Sequence, residues 1–543
     1  MTDGSDPMAP SGAVNPIDTD YKVGQDNIIV NVGPFGLDIH NRVFAISGLL
    51  VVAFVVLTLA FQNQVEPMFT AMRGWLTSNL DWFFISAGNI FVLVCLGLAI
   101  SPLGKVRLGG TEATPDYTYL GWFSMLFAAG MGIGLMFFGV SEPLSHFGSA
   151  FGGTAMENGV RTDWAPLGAA AGDAEAATRL GMAATIYHWA LHPWAIYAIL
   201  ALGLALFSFN KGLPLTVRSV FYPLLGERIW GWPGHVIDIL AVLATLFGLA
   251  TSLGYGAAQA SSGLNFLFDV PLGNTTQIVL VIGITAIALF SVVAGLDAGV
   301  KRLSEINMIL AVLLLVFVIA VGPTVDILSG FFGNLGAYFQ HLPALSNPVG
   351  RDDANFSQGW TAFYWAWWIS WSPFVGMFIA RVSRGRTVRE FIVSVLIVPS
   401  LACVLWMTVF GETAIIQFVR DGYEAATKAE LPLQLFAMLD ALPLAQITSF
   451  IAIILVVVFF VTSSDSGSLV IDVIAAGGKV DAPPPQRVFW CVFEGLVAIA
   501  LILGGGLVAL QAMAVSTGLP FTVVLLMSTV AVIKGLASEP RAR

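Results

Sequence analysis

The chain has 543 residues, of which 57% are hydrophobic and only 11% are charged, and its mean hydropathy is +0.83. A soluble domain carries about 25% charged residues, so this composition excludes a soluble protein and indicates an all-α membrane protein. The net charge of −10 argues against a nucleic-acid partner, and Cys95, Cys403 and Cys491 have neither disulfide nor zinc spacing.

The first 42 residues are polar and rich in aspartate, which predicts a flexible, acidic cytoplasmic tail. Twelve apolar stretches follow, each close to the roughly 20 residues that a membrane helix needs. They cover approximately residues 43–62, 82–101, 119–147, 180–209, 236–264, 277–295, 306–328, 360–380, 391–410, 447–474, 489–503 and 507–533. With both termini in the cytoplasm, eighteen of the 24 Lys and Arg residues lie on the cytoplasmic side, as the positive-inside rule requires.

The spacing of these stretches divides the chain into regions. Two peripheral helices occupy 43–118, and the remaining ten form two sets of five over 119–328 and 360–533. Between the sets, region 329–359 contains GFFGNLGAYFQHL, which is typical of an amphipathic surface helix over 330–342. A short cytoplasmic tail, 534–543, completes the chain.

The third stretch contains GMGIGLMFFG, with glycines at 130, 132 and 134. Glycine in a helix interior costs roughly 1 kcal/mol relative to alanine, so this run predicts an unwound segment whose main-chain groups bind a solute or ion. A small-residue packing face is the alternative. The eighth stretch carries Pro373 and Gly376, so we expect a second interruption there. Interruptions at matching positions of two halves indicate a transporter site.

Aromatic residues concentrate in the fourth and eighth stretches, which contain YHWALHPWAIY and YWAWWISW. Tyr364, Trp368 and Trp371 share one helix face. Neither window contains Asp or Glu, so the rings predict an aromatic cage for a quaternary ammonium, which cannot donate hydrogen bonds. A headgroup belt is the alternative for rings at span ends. His188 and His192 have no third metal ligand in view and indicate helix packing.

Four segments together resemble the betaine/choline/carnitine transporter family. They are GMGIGLMFFGVSEP, HWALHPWAIY, WAWWISWSPFVGMFIARVSRGRTVREF and VTSSDSGSLV, within a resemblance that runs from about residue 34 to 537. The resemblance implies twelve transmembrane helices, with a 5+5 inverted-repeat core of the sodium-symporter type in helices 3–12 and two extra N-terminal helices. It also implies a transporter rather than an enzyme, usually a homotrimer surrounded by lipid in the bacterial inner membrane.

The resemblance assigns the substrate site residue by residue. The cage consists of Trp189, Trp194, Tyr197 and Trp368. Trp367 and Trp371 lie on the substrate path or gate, and the main chain of Gly130, Gly132 and Gly134 faces the carboxylate end of the substrate.

The resemblance also implies sodium as the coupling ion, with no other cofactor or metal. One sodium site takes the positions of Ala128, Met131, Phe460, Thr462 and Ser463, because main-chain and hydroxyl oxygens suit a hard cation. Back-bonding of the hydroxyls to their own helix is the alternative. A second site takes Thr245 and Phe374, but Leu249 stands where a second hydroxyl is needed, which puts a two-sodium stoichiometry in doubt.

The expected function is sodium-coupled import of glycine betaine or dimethylsulfoniopropionate by alternating access. A choline or carnitine transporter with proton coupling or exchange is the alternative. Proton-coupled choline members carry Asp within the glycine run, where this chain has Gly134, and this favours sodium. Glu142 and Asp465 are intramembrane acids and rank second as functional candidates.

Overall fold

The computed structural model describes residues 10–32, 35–130, 132–153, 156–157, 160–161, 165–166, 168–294 and 297–541. Its first half contains helices α1 Val43–Ala60, α2 Gln62–Ile100, α3 Tyr119–Gly130, α4 Ile133–Gly152, α5 Ala174–Trp189, α6 Leu191–Ala205, α7 Tyr222–Leu225, α8 Trp232–Phe268, α9 Asn274–Ala294 and α10 Asp297–Val321. The second half contains α11 Thr324–Leu345, α12 Ala354–Phe356, α13 Ala362–Val382, α14 Val388–Met407, α15 Thr413–Val419, α16 Ala425–Lys428, α17 Gln434–Asp440, α18 Ala445–Ala475, α19 Pro484–Leu503 and α20 Gly506–Ala537.

The helices confirm an all-α membrane protein. Among the described residues, ten helical segments are long and apolar enough to cross a membrane, and the bent pair α3–α4 makes an eleventh. The remaining predicted span, 360–380, is α13, whose tryptophans and serines are almost all buried inside the protein. The count of twelve spans therefore stays a prediction.

The third predicted span is interrupted, as its glycines indicate. Helix α3 ends at Gly130, and α4 begins at Ile133 after a bend of 62°. Gly132 between them has an extended main chain, with φ −175° and ψ −171°. The carbonyl of Gly132 accepts the N–H of Met136 at 3.3 Å and so begins the hydrogen bonding of α4, whose first N–H groups have no partner within the helix.

The predicted interruption of the eighth span is wrong, because α13 runs without a break from Ala362 to Val382. Pro373 removes the N–H that would bond to the carbonyl of Ile369, but the hydroxyl of Ser372 donates to that carbonyl at 2.7 Å instead. Gly376 serves packing, since a methyl group there would lie 3.3 Å from the main chain of Ala201 in α6.

The second interruption lies in the fourth predicted span instead. Helix α5 ends at Trp189 and α6 begins at Leu191, with Ala190 between them at φ −101° and ψ −121°. Pro193 follows within the first turn of α6, where a missing N–H costs no helical hydrogen bond. The two breaks therefore belong to consecutive spans of the first set of five rather than to opposite halves.

The N-terminal region is folded over its described part, which corrects the prediction of a flexible tail. Strands β1 Asn27–Val32 and β2 Phe35–His40 form an antiparallel hairpin in which Val30 pairs with Leu37. The side chain of Asp38 forms an ion pair with Lys479, and its main-chain N–H donates to Oε1 of Gln486 at 2.9 Å. These contacts hold the hairpin against the loop that joins α18 to α19.

Packing between the helices agrees with two sets of five. The long helices α8 and α18, third in their sets, pack against each other, and so do the fourth members, α9 and α19. Helix α13 packs against both α6 and α20. The predicted surface helix over 330–342 lies within α11, which packs against α5. Helix α3, which ends at the first break, and α6, which begins at the second, both contact α13.

Candidate functional site

The break between α5 and α6 leaves two main-chain carbonyls that side chains satisfy. In an unbroken helix the carbonyl of Trp189 would accept a hydrogen bond from the N–H of residue 193, but that residue is proline and has no N–H. The indole of Trp194 donates to it at 3.2 Å, and the indole of Trp368 donates to the carbonyl of His188 at 3.0 Å. The break therefore fixes the orientation of two tryptophans from α6 and α13.

One cavity lies between the two breaks and α13. All nine positions predicted for substrate line it, namely Gly130, Gly132, Gly134, Trp189, Trp194, Tyr197, Trp367, Trp368 and Trp371. The lining also includes Ala129, Ile133, Leu135, Pro193, Ser252, Val375 and Cys403. Sequence reasoning missed Ser252 and Cys403, which add polar atoms to this mainly apolar lining.

The aromatic rings meet nearly at right angles and so form walls rather than a stack. Trp189 and Trp368 have ring centroids 4.9 Å apart at 75°, and Trp194 and Tyr197 are 5.4 Å apart at 73°. Tyr197 also meets Trp368 at 79°. Trp189 is 5% exposed and Trp368 is 8% exposed, so a headgroup belt does not describe these interior rings.

Two further tryptophans continue the cavity along α13. The indoles of Trp367 and Trp371 both donate to the carbonyl of Gly248 in α8, at 3.4 and 2.9 Å. Trp367 stacks on Trp368 with centroids 5.0 Å apart and an angle of 15°. The predicted path residues therefore connect the cage to the α8 side of the protein.

Gly134 allows the closest contact between the glycine run and the cage. A methyl group at this position would lie 2.7 Å from Cη2 of Trp189, which is closer than carbon atoms can approach. At Gly132, by contrast, nothing lies within 4 Å of the corresponding point. Gly134 thus has a packing reason to be glycine, whereas Gly132 lies in an open part of the break.

Glu142 is the residue that sequence reasoning underrated. It lies on α4, is completely buried, and its Oε2 accepts hydrogen bonds from the indole of Trp189 at 2.7 Å and the hydroxyl of Tyr364 at 2.5 Å. Its Oε1 lies 2.5 Å from Nδ1 of His188 and 3.2 Å from Nε2 of His146. The signal in the sequence is the Glu–His pair at i, i+4, two helical turns beyond the glycine run.

The two histidines of the fourth span point to different partners. His188 bonds to Glu142 and, through Nε2, to Thr361 at 2.9 Å, whereas His192 bonds to Asn89 at 3.0 Å. They do not converge, which agrees with a packing role. Ligand atoms of Glu142, His146 and His188 lie within 4.8 Å of one another, but they bond to each other and to neighbouring side chains.

Comparison with known proteins assigns the family. The family model described as BCCT, betaine/carnitine/choline family transporter, matches residues 42–541. The chain belongs to this family. A glycine betaine/proline/choline transporter of Vibrio parahaemolyticus is 74% identical, with 98% of this chain and 96% of that protein covered. Glycine betaine transporter 1 of the same organism is 54% identical over 96% and 97% of the two chains.

Two more distant proteins are also similar to this chain. A glycine betaine transporter of Acinetobacter baylyi is 41% identical, with 92% of this chain and 74% of that protein covered. Among solved structures, a mutant manganese transporter of Eremococcus coleocola aligns with a TM-score of 0.40 and 13% identity, over 79% of this chain and 88% of that one. That structural similarity is too low to carry an argument. Family membership confirms a bacterial-type multi-pass membrane transporter rather than an enzyme.

The positions that the family assigns to the first sodium site lie on two helices. Ala128 is near the end of α3, and Phe460, Thr462 and Ser463 are on α18, while Met131 lies outside the described residues. The hydroxyl of Thr462 donates to the carbonyls of Val458 and Phe459 in its own helix, at 3.0 and 3.1 Å. This is the back-bonded conformation, so the sodium role of these residues stays a prediction.

The positions predicted for the second sodium site lie on α8 and α13. Thr245 donates to the carbonyl of Ala241 at 2.7 Å, and Phe374 contacts the edge of Trp371 with centroids 5.5 Å apart. The side chain of Leu249 fills the space beside Gly467, where an added methyl would lie only 2.3 Å from it. A hydrocarbon contact between α8 and α18 therefore occupies the position of the missing hydroxyl.

The second intramembrane acid that the sequence raised has a structural partner. Asp465 on α18 accepts a hydrogen bond from the guanidinium of Arg487 at 3.0 Å, near the start of α19. This pairing favours a helix-packing role for Asp465 over a role at the cavity.

Proposed function

We propose that the protein imports a small zwitterion bearing a methylated onium group, with glycine betaine ahead of dimethylsulfoniopropionate, together with sodium. The observation that carries the proposal is the cavity in which Trp189, Trp194, Tyr197 and Trp368 form walls beside the break of the third span. A quaternary ammonium has no N–H to donate, so ring faces are its natural partners, at up to about 2 kcal/mol for each desolvated contact.

The same cavity offers a place for the carboxylate of a zwitterion. Gly132, Ile133, Gly134 and Leu135 line it at the start of α4, where helical N–H groups have no partner in their own helix. The N-terminus of a 20-residue helix carries partial positive charge and attracts anions. Rings at one end and free N–H groups at the other match the two charges of a betaine.

Sodium coupling is part of the proposal and is supported by oxygen chemistry. The carbonyls at the end of α3 and the hydroxyls of Thr462 and Ser463 on α18 are the neutral oxygens that a hard cation such as sodium prefers. Leu249 has no side-chain oxygen to offer at the second sodium site that the family resemblance implies. We therefore expect coupling to depend mainly on the first site.

Transport would follow alternating access around the cavity, with one set of helices moving against the other. We further propose the arrangement that the family resemblance implies, a homotrimer in the bacterial inner membrane with both termini cytoplasmic. The bias of Lys and Arg toward the cytoplasmic side supports this orientation.

Choline is the second candidate substrate, because the most similar relative reported above is named for glycine betaine, proline and choline. The cage would accept its trimethylammonium group equally well. A carnitine carrier, or one with proton coupling or exchange, is the remaining alternative. Choline has no carboxylate, so it would leave the N-terminus of α4 without an anionic partner, and this favours the zwitterion.

The decisive experiment uses the purified full-length protein in proteoliposomes. Uptake of labelled glycine betaine is measured with external sodium and with sodium replaced by potassium, and choline, carnitine and dimethylsulfoniopropionate compete in parallel. We expect concentrative betaine uptake only with sodium. Uptake indifferent to sodium would contradict the coupling, and stronger competition by choline than by unlabelled glycine betaine would contradict the zwitterion as the preferred substrate.

A further inference from the structure

The cage lacks a carboxylate of its own, but one lies directly behind it. Glu142 is completely buried on α4, and its Oε2 accepts the indole N–H of Trp189 at 2.7 Å. The six-membered ring of the same indole lies on the other side, against Gly134 and the cavity. One side chain therefore has a carboxylate at its N–H edge and also lines the substrate cavity.

The contacts of Glu142 satisfy an ionised carboxylate without a lysine or arginine. The indole of Trp189 can only donate, the hydroxyl of Tyr364 shares the same oxygen, and His188 and His146 flank the other oxygen. Over the described residues, the ion pairs of Glu142 are with these two histidines alone, and no Lys or Arg pairs with it. A buried negative charge in such a setting is rarely structural alone.

Direct contact between this carboxylate and a quaternary ammonium is unnecessary. A hydrogen bond from an indole to an anion shifts electron density toward the ring, and a cation over the ring face is attracted by that density. Low polarity in the interior also lets the charge itself act over several ångströms. The effect is specific for a cation, because a neutral methyl group over the same ring gains neither contribution.

The geometry points to Glu142 as the specificity-determining counter-charge of the cage, acting through the hydrogen-bonded ring of Trp189 to favour cationic over neutral trimethyl headgroups. This inference rests on the proposed betaine function and deepens it. It assigns the preference for charge to α4, whereas the shape of the site comes from the tryptophans of α5, α6 and α13.

The test compares two ligands of the same shape. Glycine betaine and 3,3-dimethylbutyrate differ only in a quaternary nitrogen against a quaternary carbon, and both carry the carboxylate. Affinities are measured by calorimetry on the full-length protein in sodium. We expect the wild type to prefer betaine at least tenfold and Glu142→Gln to reduce that preference at least fivefold. The affinity of Glu142→Gln for 3,3-dimethylbutyrate should stay within about twofold of the wild-type value.

A matched control is Glu494→Gln, which makes the same change at a completely buried intramembrane glutamate that bonds to Ser464 and does not line the cavity. It should retain the wild-type preference. Equal losses for both ligands in Glu142→Gln would show a purely structural residue and overturn the inference, as would an unchanged preference. A wild type that binds neither ligand, or does not distinguish them, would instead refute the proposed function.

A second variant covers the case in which Glu142→Gln does not fold. Trp189→Phe keeps an aromatic wall but removes the N–H that joins it to Glu142. We expect the preference for betaine over 3,3-dimethylbutyrate to fall at least threefold. A preference equal to that of the wild type would overturn the role of the hydrogen-bonded ring, whatever the behaviour of the first variant.

Discussion

The cavity has an aromatic wall and a glycine wall, and they differ in how their atoms are held. Indoles of the aromatic wall donate to main-chain carbonyls, as Trp194 does to Trp189 and Trp371 does to Gly248. The glycine wall has no such anchors at Gly132, where nothing lies within 4 Å of the added methyl position. A rigid wall suits recognition of a fixed headgroup, and an open break suits groups that must move during transport.

Removal of a ring from the rigid wall should have the largest effect. Trp368→Leu deletes a cage face together with the donor to the carbonyl of His188. Loss of a cation–π contact of about 2 kcal/mol corresponds to a roughly 30-fold weaker affinity for betaine. Isothermal titration with glycine betaine measures this loss. Trp75→Leu, at a tryptophan that is 61% exposed on α2, should leave affinity unchanged; equal affinities in both variants would contradict the cage.

Contact between the two walls is tested at Gly134. A methyl group from Gly134→Ala would lie 2.7 Å from the ring of Trp189, so the ring must shift away from its hydrogen bond to Glu142. We expect betaine affinity to fall roughly tenfold by the same titration, because a displaced wall no longer matches the headgroup. Gly148→Ala lies on the same helix with nothing within 4 Å and is the control. Similar affinities for the two variants would show that the walls are independent.

A third prediction concerns the sodium site that we propose beside the glycine wall. Thr462→Ala combined with Ser463→Ala removes both α18 hydroxyls, and we expect the sodium concentration for half-maximal uptake to rise about tenfold, because main-chain oxygens alone complete the shell poorly. Uptake of labelled betaine against sodium concentration measures the shift. Thr448→Ala, another back-bonded threonine of α18, should have the wild-type sodium requirement. An unshifted curve for the double variant would remove the site from α18.

We expect the smallest effect from a change in α13, the unbroken helix that carries part of the aromatic wall. Ser372→Ala takes away the hydroxyl that bonds to the carbonyl of Ile369 next to Pro373, and an unpaired buried carbonyl costs about 1 kcal/mol or more. Thermal unfolding in detergent should show a melting temperature a few degrees lower. Ser528→Ala removes a similar bond in α20, where no proline follows, and should change it less. Equal melting temperatures would mean that Ser372 does not stabilise α13.

Sequence patterns predicted the cage because its residues are local. Trp194 and Tyr197 are one turn apart, and Trp368 and Trp371 also share a face, so helical periodicity brings each pair together before the helices pack. The glycine run predicted the first break for a similar reason, since several glycines together weaken a helix wherever it is placed. The family followed from these same motifs and was confirmed over residues 42–541.

Other features depended on partners far away in the chain. The break predicted at Pro373 is absent because Ser372 replaces the missing donor, and the second break lies at Ala190, where indoles from α6 and α13 take the freed carbonyls. The N-terminal hairpin is ordered because Asp38 meets Lys479. In these cases the contact depends on how the segments pack together, and a local sequence pattern does not predict that packing.

The sequence by itself determined that this chain is a helical membrane protein with an aromatic site beside a weakened helix, because hydropathy and helical periodicity act over a few turns. Only the tertiary structure decided which span carries the second break and which acid is hydrogen-bonded to the aromatic site. Glu142 is 47 residues from Trp189 along the chain, yet they are hydrogen-bonded. Burial makes each unpaired polar group costly, so the fold, rather than the local sequence, selects the partners.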